Sequence, residues 1–280
     1  EQYGYGFSLI TKSDLILRDL DLLKAINEKT KLVEIQRSKG YQTRPSYSVK
    51  QIGELIHFIK ERKPDVLCMV DNCYGEFLDT KEPTDVGADL MAGSLIKNIG
   101  GGIAPTGGYI VGKAKYVDQA SYRLTIPGIG GECGSTFGVM RQMFQGLFLA
   151  PHIAIEAVKG AVFCARVMEL SGFEVLPKYN EKRSDIIQAI KFNDEEKLIK
   201  FCKGIQKASP IDSFVECEPW DMPGYNDKVI MAAGAFIQGS SIELSADAPI
   251  RPPYIAYLQG GLTFDHAKIG VLVALNNIYK

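Results

Sequence analysis

The sequence has few of the residues that build metal centres or disulfide frameworks. It contains three histidines, His57, His152 and His266, and none of them has a second ligand at the spacing of a zinc site. The six cysteines are scattered, and no two of them form a Cys-x-x-Cys pair. We therefore expect no bound metal, and we expect reduced cysteines, as in a cytoplasmic protein.

The sequence also lacks a strong excess of charge and a long apolar run. Its 32 basic and 33 acidic residues give a formal net charge of −1, which does not favour nucleic acid or an anionic membrane as a partner. No apolar run approaches the ~20 residues that cross a bilayer, and no signal peptide is visible. No Gly-x-Gly-x-x-Gly opens a helix after an early strand, which disfavours a dinucleotide-binding protein.

What the sequence does contain is a stretch, at positions 66–112, in which apolar runs end at polar residues. The run at 66–70 is continuous, as in a strand buried on both faces, and it ends at Asp71. A second run, at 88–96, ends at Lys97, with Ser94 three residues before it. A glycine-rich loop at 100–102 and a strand at 106–112 follow. Because ligand sites in open α/β sheets lie at the carboxyl ends of strands, Asp71 and Lys97 are predicted site residues.

The chemistry that fits this set is that of pyridoxal 5'-phosphate (PLP). A lysine in an apolar site holds the cofactor aldehyde as a Schiff base, and burial is expected to lower its pKa. A carboxylate such as Asp71 keeps the ring nitrogen protonated, so that the ring acts as an electron sink. The Ser94 hydroxyl would bind the phosphate. Taken singly, Asp71 is more typical of a turn residue and Lys97 of a solvated lysine, and only their combination favours the cofactor site.

Two segments carry a resemblance to a known family. Residues 70–76, Val-Asp-Asn-Cys-Tyr-Gly-Glu, and 93–98, Gly-Ser-Leu-Ile-Lys-Asn, resemble the fold-type I PLP enzymes of cysteine and methionine metabolism. The branch that they resemble more closely is described as methionine gamma-lyase-like or "aluminium resistance" proteins, and the resemblance covers nearly the whole chain. It implies that Lys97 is the Schiff-base lysine, Asp71 the pyridinium aspartate and Ser94 a phosphate ligand, with Tyr74 as a further cofactor-binding residue. Better-known relatives carry threonine where this chain has Ile96, so one phosphate contact must come from elsewhere.

The resemblance also implies an arginine that binds the substrate carboxylate bidentately. Our candidate is Arg251, which follows a predicted turn at 246–249 and is stiffened by the two prolines after it. Tyr257 lies nearer the usual position in the family, and the alternative for Arg251 is a surface arginine paired with Asp247. Arg37 and Tyr41 follow the strand predicted at 31–36, and we expect this loop to line the pocket and contact substrate.

The order of predicted elements is strand, helix, strand, helix, strand, which is typical of an α/β protein. With the resemblance, it predicts a fold-type I, PLP-dependent transferase-like fold with a mostly parallel, doubly wound sheet and a smaller C-terminal α+β domain. We place the large PLP-binding domain at 1–150, and the connecting helix and small domain at 151–280. A helix is predicted at 14–27, and Pro151 is predicted to separate two helices. Later strands are predicted at 185–190, 214–217, 229–237, 242–245 and 254–259.

The predicted function is that of a PLP-dependent carbon–sulfur lyase that acts on a sulfur amino acid, of the methionine gamma-lyase or cystathionine beta-lyase type. Tyr41 and Tyr74 are candidate proton donors. Another PLP enzyme (an aminotransferase, racemase or aldolase) and a cofactor-free regulatory protein with the same fold stay open as alternatives. The resemblance implies a homodimer or homotetramer, and it also implies a stretch before Glu1 that supplies a phosphate-binding loop and an aromatic ring.

Overall fold

The computed structural model describes residues 30–280, apart from 135, 137, 235 and 238. The helix predicted at 14–27 lies outside the described residues. Within them, the chain forms two β-sheets that are connected by one long helix.

The first sheet contains four strands, in the order in which they occur in the chain. They are β1 Leu32–Gln36, β2 Leu67–Asp71, β3 Leu90–Ser94 and β4 Gly108–Gly112. The first three are parallel, and β4 runs antiparallel to β3. Gln36 pairs with Asp71, and Asp71 with Ala92, so the carboxyl ends of the three parallel strands meet at one edge of the sheet.

Helix α1, Val49–Arg62, covers the first sheet. Ser48 caps its start: the Ser48 Oγ accepts a hydrogen bond from the Gln51 N–H at 3.2 Å, and the Gln51 side chain accepts one from the Ser48 N–H at 2.9 Å. Its buried residues pack with the apolar residues of the parallel strands, among them Ile35, Ile52, Ile56, Cys68 and Val70. The packing on α1 accounts for one face of the strands only: in β2, Cys68 and Val70 are buried, whereas Leu67 and Met69 on the other face are partly exposed, so the expected burial of this strand on both faces is not seen among the described residues.

Helix α2, Ala114–Ser121, follows β4, and helix α3, Met140–Leu170, then runs for 31 residues. The prediction that Pro151 separates two helices is wrong, since α3 continues through it. A proline removes one N–H donor from a helix, but packing on both sides holds this one together: Ala150, Ala154 and Ala157 are all fully buried. Gly172, with φ of +87°, follows the end of the helix, in the conformation typical of a glycine at this position.

Among the described residues, α3 is the one helix that is long and apolar enough to cross a membrane, a length that the sequence reading did not anticipate. Its C-terminal half lies in the protein core, where Ala161, Cys164, Ala165 and Met168 are fully buried. A core helix of a soluble protein meets the same criteria of length and composition, so α3 is no argument for a membrane protein.

The second sheet contains five strands in the order β5-β6-β9-β8-β7, and all neighbours are antiparallel. They are β5 Glu174–Leu176, β6 Gln188–Lys191, β7 Val229–Ala232, β8 Ser245–Pro249 and β9 Ile255–Gln259. Asp194 caps the start of helix α4, Glu195–Lys207, and Thr263 caps the start of helix α5, Phe264–Ile278. Both helices pack with α3 against one face of this sheet to form the largest core.

The α/β class is confirmed, with a mixed first sheet. The doubly wound arrangement and the division into two domains stay predictions, and the predicted boundary at residue 150 falls inside α3. Three local predictions are wrong. The strand predicted at 242–245 is absent, since Ser241–Glu243 form a short 3-10 helix and strand β8 begins only at Ser245. Residues 214–217 form no strand, and Phe214 is 80% exposed. Residues 246–249 are not a turn but most of strand β8, because pairing with β7 and β9 on both sides outweighs the poor strand propensity of Ala, Asp and Pro.

Candidate active site

Asp71, Ser94 and Lys97 lie at the same edge of the first sheet. Asp71 is the last residue of β2 and Ser94 the last residue of the neighbouring β3. The chain turns after Ser94, whose carbonyl accepts a hydrogen bond from the Lys97 N–H at 3.3 Å. The strand predicted at 88–96 is therefore shorter than expected, and the turn places Lys97 beside the residues that follow β2.

The Lys97 amine faces Tyr74 and Asp71. Its Nζ lies 4.3 Å from the centre of the Tyr74 ring, within cation–π distance. Burial lowers the pKa of Lys97, but Tyr74, Cys73 and Asp71 together raise it by more, so the pKa of the amine is above its usual value. The expectation of a lowered pKa is therefore wrong for the cofactor-free chain. Because Asp71 contributes to this shift, its carboxylate lies near enough to the Lys97 amine for their charges to interact.

The loop that carries Lys97 is held by close backbone contacts with α3. A Cβ on Gly146 would lie 2.1 Å from the carbonyl oxygen of Gly100, and a Cβ on Gly101 would lie 2.4 Å from the carbonyl oxygen of Gly146. Gly101 also has φ of +57°, a conformation that favours glycine. The glycine-rich loop thus packs backbone against backbone on α3, which fixes the segment next to Lys97.

Two serines bind the backbone of the residue before Lys97. The Ser94 Oγ accepts a hydrogen bond from the Ile96 N–H at 3.3 Å, and the Ser240 O–H donates one to the Ile96 carbonyl at 2.9 Å. Because Ser94 acts here as an acceptor, its hydroxyl proton stays available for another acceptor, such as a phosphate oxygen. Ile96 stands where relatives carry threonine, and its contacts to both serines are made by its backbone.

The second sheet supplies the opposite wall of the site. The Tyr74 O–H donates to Ser241 Oγ at 3.2 Å, and Tyr74 has φ of +71°, a strained conformation of the kind found at functional sites. The Tyr41 ring lies 5.3 Å from the Tyr257 ring, and both Tyr41 and Tyr74 pack on a cluster that includes Tyr257. Tyr257 pairs in register with Asp247, so these two side chains emerge on the same face of the sheet.

We call the region where these residues of the two sheets meet the strand-end cleft. It is bordered by Asp71, Tyr74, Ser94, Lys97 and Asp247, all of which are partly exposed. Burial raises the pKa of Asp247 to about 6, against the opposing effects of a hydrogen bond from Gln259 and the charge of Lys97. Sequence reasoning missed Asp247 because it placed this residue in a turn; the alternation of Ala246, Asp247 and Ala248 is the signal that could have identified a strand with one polar face.

Arg37 does not lie in the strand-end cleft. Its side chain is fully buried, and its Nη1 donates to Asn72 Oδ1 at 2.7 Å and lies 3.3 Å from Glu82 Oε2. A Cβ on Gly75 would lie 2.3 Å from Arg37 Nε. With no access to solvent and with a carboxylate partner, this guanidinium is not available to a substrate. Arg37 instead supports the loop that follows Asp71.

Arg251 lies at the surface, beside Tyr41. Its Nη1 pairs with Asp227 Oδ2 at 2.9 Å, not with Asp247, and its Nη2 donates to the Tyr41 carbonyl at 3.5 Å. Arg251, Tyr41 and Tyr257 line a groove of about 180 Å³. Tyr41 packs on the same cluster as Tyr74, so the groove adjoins the aromatic wall of the strand-end cleft.

The residues present fit PLP. A lysine amine, a carboxylate and a serine hydroxyl with a free proton converge at the carboxyl edge of a parallel sheet, where they match the aldehyde, ring nitrogen and phosphate of the cofactor. Within residues 30–280 that the structure describes, no group of three or more His, Cys, Asp or Glu side chains is placed to hold a metal ion.

Comparison with known proteins identifies relatives of this chain. A profile for methionine gamma-lyase matches residues 9–279. The chain is 55% identical over 279 residues to the uncharacterized protein YnbB of Bacillus subtilis (strain 168), covering 100% of this chain and 66% of that protein. A crystal structure of a carbon-sulfur lyase involved in aluminum resistance from Clostridium novyi NT is 68% identical, with a TM-score of 0.85 over 94% of this chain and 61% of that one. Cystathionine gamma-lyase from yeast, 15% identical, shares the fold, with a TM-score of 0.60 over 96% of this chain and 68% of that one.

The chain spans slightly less than two thirds of the first two of these relatives, at 66% and 61% of their lengths. The profile match nevertheless extends over nearly all of it, and the resemblance inferred from the segments around Asp71 and Lys97 is confirmed. The chain belongs to the methionine gamma-lyase family.

Proposed function

We propose that this chain is part of a PLP-dependent carbon–sulfur lyase that acts on a sulfur amino acid. The observation that supports this most directly is the convergence of Asp71, Ser94 and the Lys97 amine at one sheet edge. Family membership and the Clostridium novyi relative, described as a carbon-sulfur lyase, support the same class of reaction. Elimination from Cβ and elimination from Cγ are both compatible with this set of residues.

Each residue of the set has one proposed task. PLP bound in the cleft supplies an electron sink for the charge that develops at the substrate Cα. Asp71 would hold the proton on the ring nitrogen, and Ser94 would donate its free proton to the phosphate. The Lys97 amine would hold the cofactor aldehyde and would take the substrate Cα proton as general base. Because its pKa is raised, Lys97 must first lose a proton before it acts in either role.

Substrate binding is proposed for the aromatic wall and the adjoining groove. Tyr41, Tyr74 and Tyr257 provide apolar surface, and Arg251 is the proposed anchor for the substrate carboxylate. A carboxylate would have to replace Asp227 as the partner of Arg251. Arg37 is excluded from this role by its burial.

Assembly into a homodimer or larger homo-oligomer in the cytoplasm is a further part of the proposal. It is supported by exposed apolar residues on the N-terminal half of α3, which include Phe144 and Phe148, the latter 84% exposed. A patch of this kind on a soluble protein commonly marks a protein interface.

The central test is spectroscopic. The full-length protein reconstituted with PLP should show a visible absorbance band, and Lys97→Ala should abolish it, whereas Lys50→Ala, which removes an exposed lysine of α1, should leave it unchanged. Release of thiol together with keto acid and ammonia from S-alkylcysteine or methionine would establish the lyase. A Lys97→Ala protein that keeps the band, or a wild-type protein that only exchanges amino groups, contradicts the proposal.

A further inference from the structure

We propose that Asp247 is a second catalytic carboxylate of the strand-end cleft and that it protonates the sulfur atom as the C–S bond breaks. This inference rests on the proposed lyase function and adds to it the donor of the leaving-group proton. The donor comes from the second sheet, whereas Asp71, Ser94 and Lys97 all come from the first.

The position of Asp247 follows from the alternation of side chains along β8. Ala246 and Ala248 lie in the core that this sheet forms with α4 and α5. Because successive side chains in a strand point to opposite faces, Asp247 emerges on the other face. Tyr257, its partner in register on β9, lies on that face in a cluster against which Tyr41 and Tyr74 pack. Asp247 therefore faces the residues that follow the strands of the first sheet.

One carboxylate oxygen of Asp247 is held and the other is available. The Gln259 Nε2–H donates to Oδ2 at 3.1 Å, and Gln259 is itself 2% exposed, so the orienting amide cannot swing away. Over the part of the chain that the structure describes, this is the one hydrogen bond that reaches the carboxylate, and no cation lies within ion-pair distance. Oδ1 is thus left to carry a proton that can be delivered into the cleft.

The groups that face Asp247 make it a better proton donor than the tyrosines. Its neighbours are Lys97, Tyr74 and Tyr41 across the cleft, and Cys202 on α4 behind the sheet. Burial raises the pKa of both phenols above their usual value, so each is a weaker acid than an alkyl thiol, whose pKa is about 8.5. A carboxyl group with a pKa of about 6 gives its proton to a leaving thiolate downhill in energy.

The proposed elimination moves one proton from the substrate Cα to Lys97 and one from Asp247 to sulfur. The Lys97 amine takes the Cα proton and becomes an ammonium group. The C–S bond breaks, its electron pair leaves with sulfur, and a carbon–carbon double bond forms. The proton of Asp247 moves to that sulfur, so a neutral thiol departs and Asp247 is left as a carboxylate. A proton from the Lys97 ammonium group or from solvent then restores the acid form.

The experiment compares leaving groups in the full-length protein with PLP bound. Asp247→Asn keeps an oxygen acceptor for Gln259 but has no titratable proton, and Asp221→Asn, in an exposed loop, is the matched control. With S-alkylcysteine, whose thiolate needs a proton, Asp247→Asn should reduce kcat by about 10²–10⁴-fold. With 3-chloroalanine, whose chloride needs none, the rate should stay within about threefold. Exchange of the Cα proton with deuterated solvent and the absorbance band should be retained.

A second readout does not depend on activity. In the cofactor-free chain, a ¹³C-labelled carboxyl resonance should titrate near pH 6 and be absent from Asp247→Asn. Equal loss of rate with both substrates, full retention of both rates, or a missing titration overturns the role of Asp247. A wild-type protein that binds PLP but releases neither thiol nor chloride overturns the lyase function itself, and the role of Asp247 with it.

Discussion

Replacing Gly75 by alanine tests whether buried Arg37 fixes the loop between Asp71 and Glu82. The added methyl carbon would lie 2.3 Å from Arg37 Nε and 2.5 Å from Cδ and Cζ. Non-bonded atoms normally settle at about 3.5 Å, so the overlap exceeds 1 Å. Arg37 cannot move aside freely, because its side chain is fully buried and is bound to Asn72 and Glu82.

The expected cost follows from what must move. Overpacking of a buried site costs about 1–3 kcal/mol, and losing a hydrogen bond to a charged group costs about 1.5–3 kcal/mol. Since partial displacement of Arg37 incurs some of each, we expect Gly75→Ala to lower the free energy of unfolding by about 2–4 kcal/mol. Gly134→Ala is the matched control, because its nearest contact would be the Thr136 carbonyl oxygen at 3.6 Å, and it should change stability by less than about 1 kcal/mol.

The assay is denaturant unfolding followed by circular dichroism, repeated in an Arg37→Ala background. If the clash with Arg37 causes the loss, Gly75→Ala should cost at least about 1.5 kcal/mol less in that background, which is a coupling that a double-mutant cycle resolves. Equal costs in the two backgrounds, or a Gly75→Ala protein as stable as Gly134→Ala, would refute the reasoning. PLP affinity should fall with stability, because the same loop positions Tyr74.

Four further outcomes are expected. Gly146→Ala should weaken PLP binding at least tenfold, as measured by absorbance titration, because a Cβ there meets a backbone carbonyl in the loop that carries Lys97. Asp89→Asn should lower the free energy of unfolding by about 1–3 kcal/mol at pH 7, because Asp89 accepts bonds from two lysines and a backbone N–H. Burial raises the pKa of Asp89, but these bonds lower it by more, so the difference should begin to shrink as pH falls below about 4, the pKa of an unfolded Asp, and should vanish only below the lowered pKa of the folded protein. The rate of PLP attachment should rise about tenfold per pH unit from about pH 6 to 9, because the pKa of Lys97 is raised; a flat profile contradicts this. Arg251→Ala should raise KM with little change in kcat, and an unchanged KM would remove Arg251 from the site.

The sequence identified the first half of the site because local signals are strong there. The apolar runs that end at Asp71 and Lys97 belong to parallel strands that α1 covers on one face, and such runs are recognisable from neighbouring residues alone.

The second half of the site depends on contacts between residues far apart in the chain, which a single sequence does not reveal. Asp247 lies in a segment of Ala, Asp and Pro, which have poor strand propensity, and only pairing with β7 and β9 makes the segment a strand. The direction of the pKa shift of Lys97 could not be predicted either, because it depends on Tyr74 and Cys73 outweighing burial. Arg37 was assigned to the pocket from its place after β1, but the side chain is enclosed under Gly75.

Helix α3 connects the two walls of the strand-end cleft and sets the distance between them. Its 31 residues measure about 46 Å, with Gly146 against the Lys97 loop and Met168 in the core of the second sheet. Inserting one residue between these two points would rotate one end against the other by about 100°. The distance from Lys97 to Asp247 therefore depends on the number of residues in α3 as well as on contacts within the cleft. An insertion or deletion in α3 should reduce activity more than any substitution of an exposed residue of this helix.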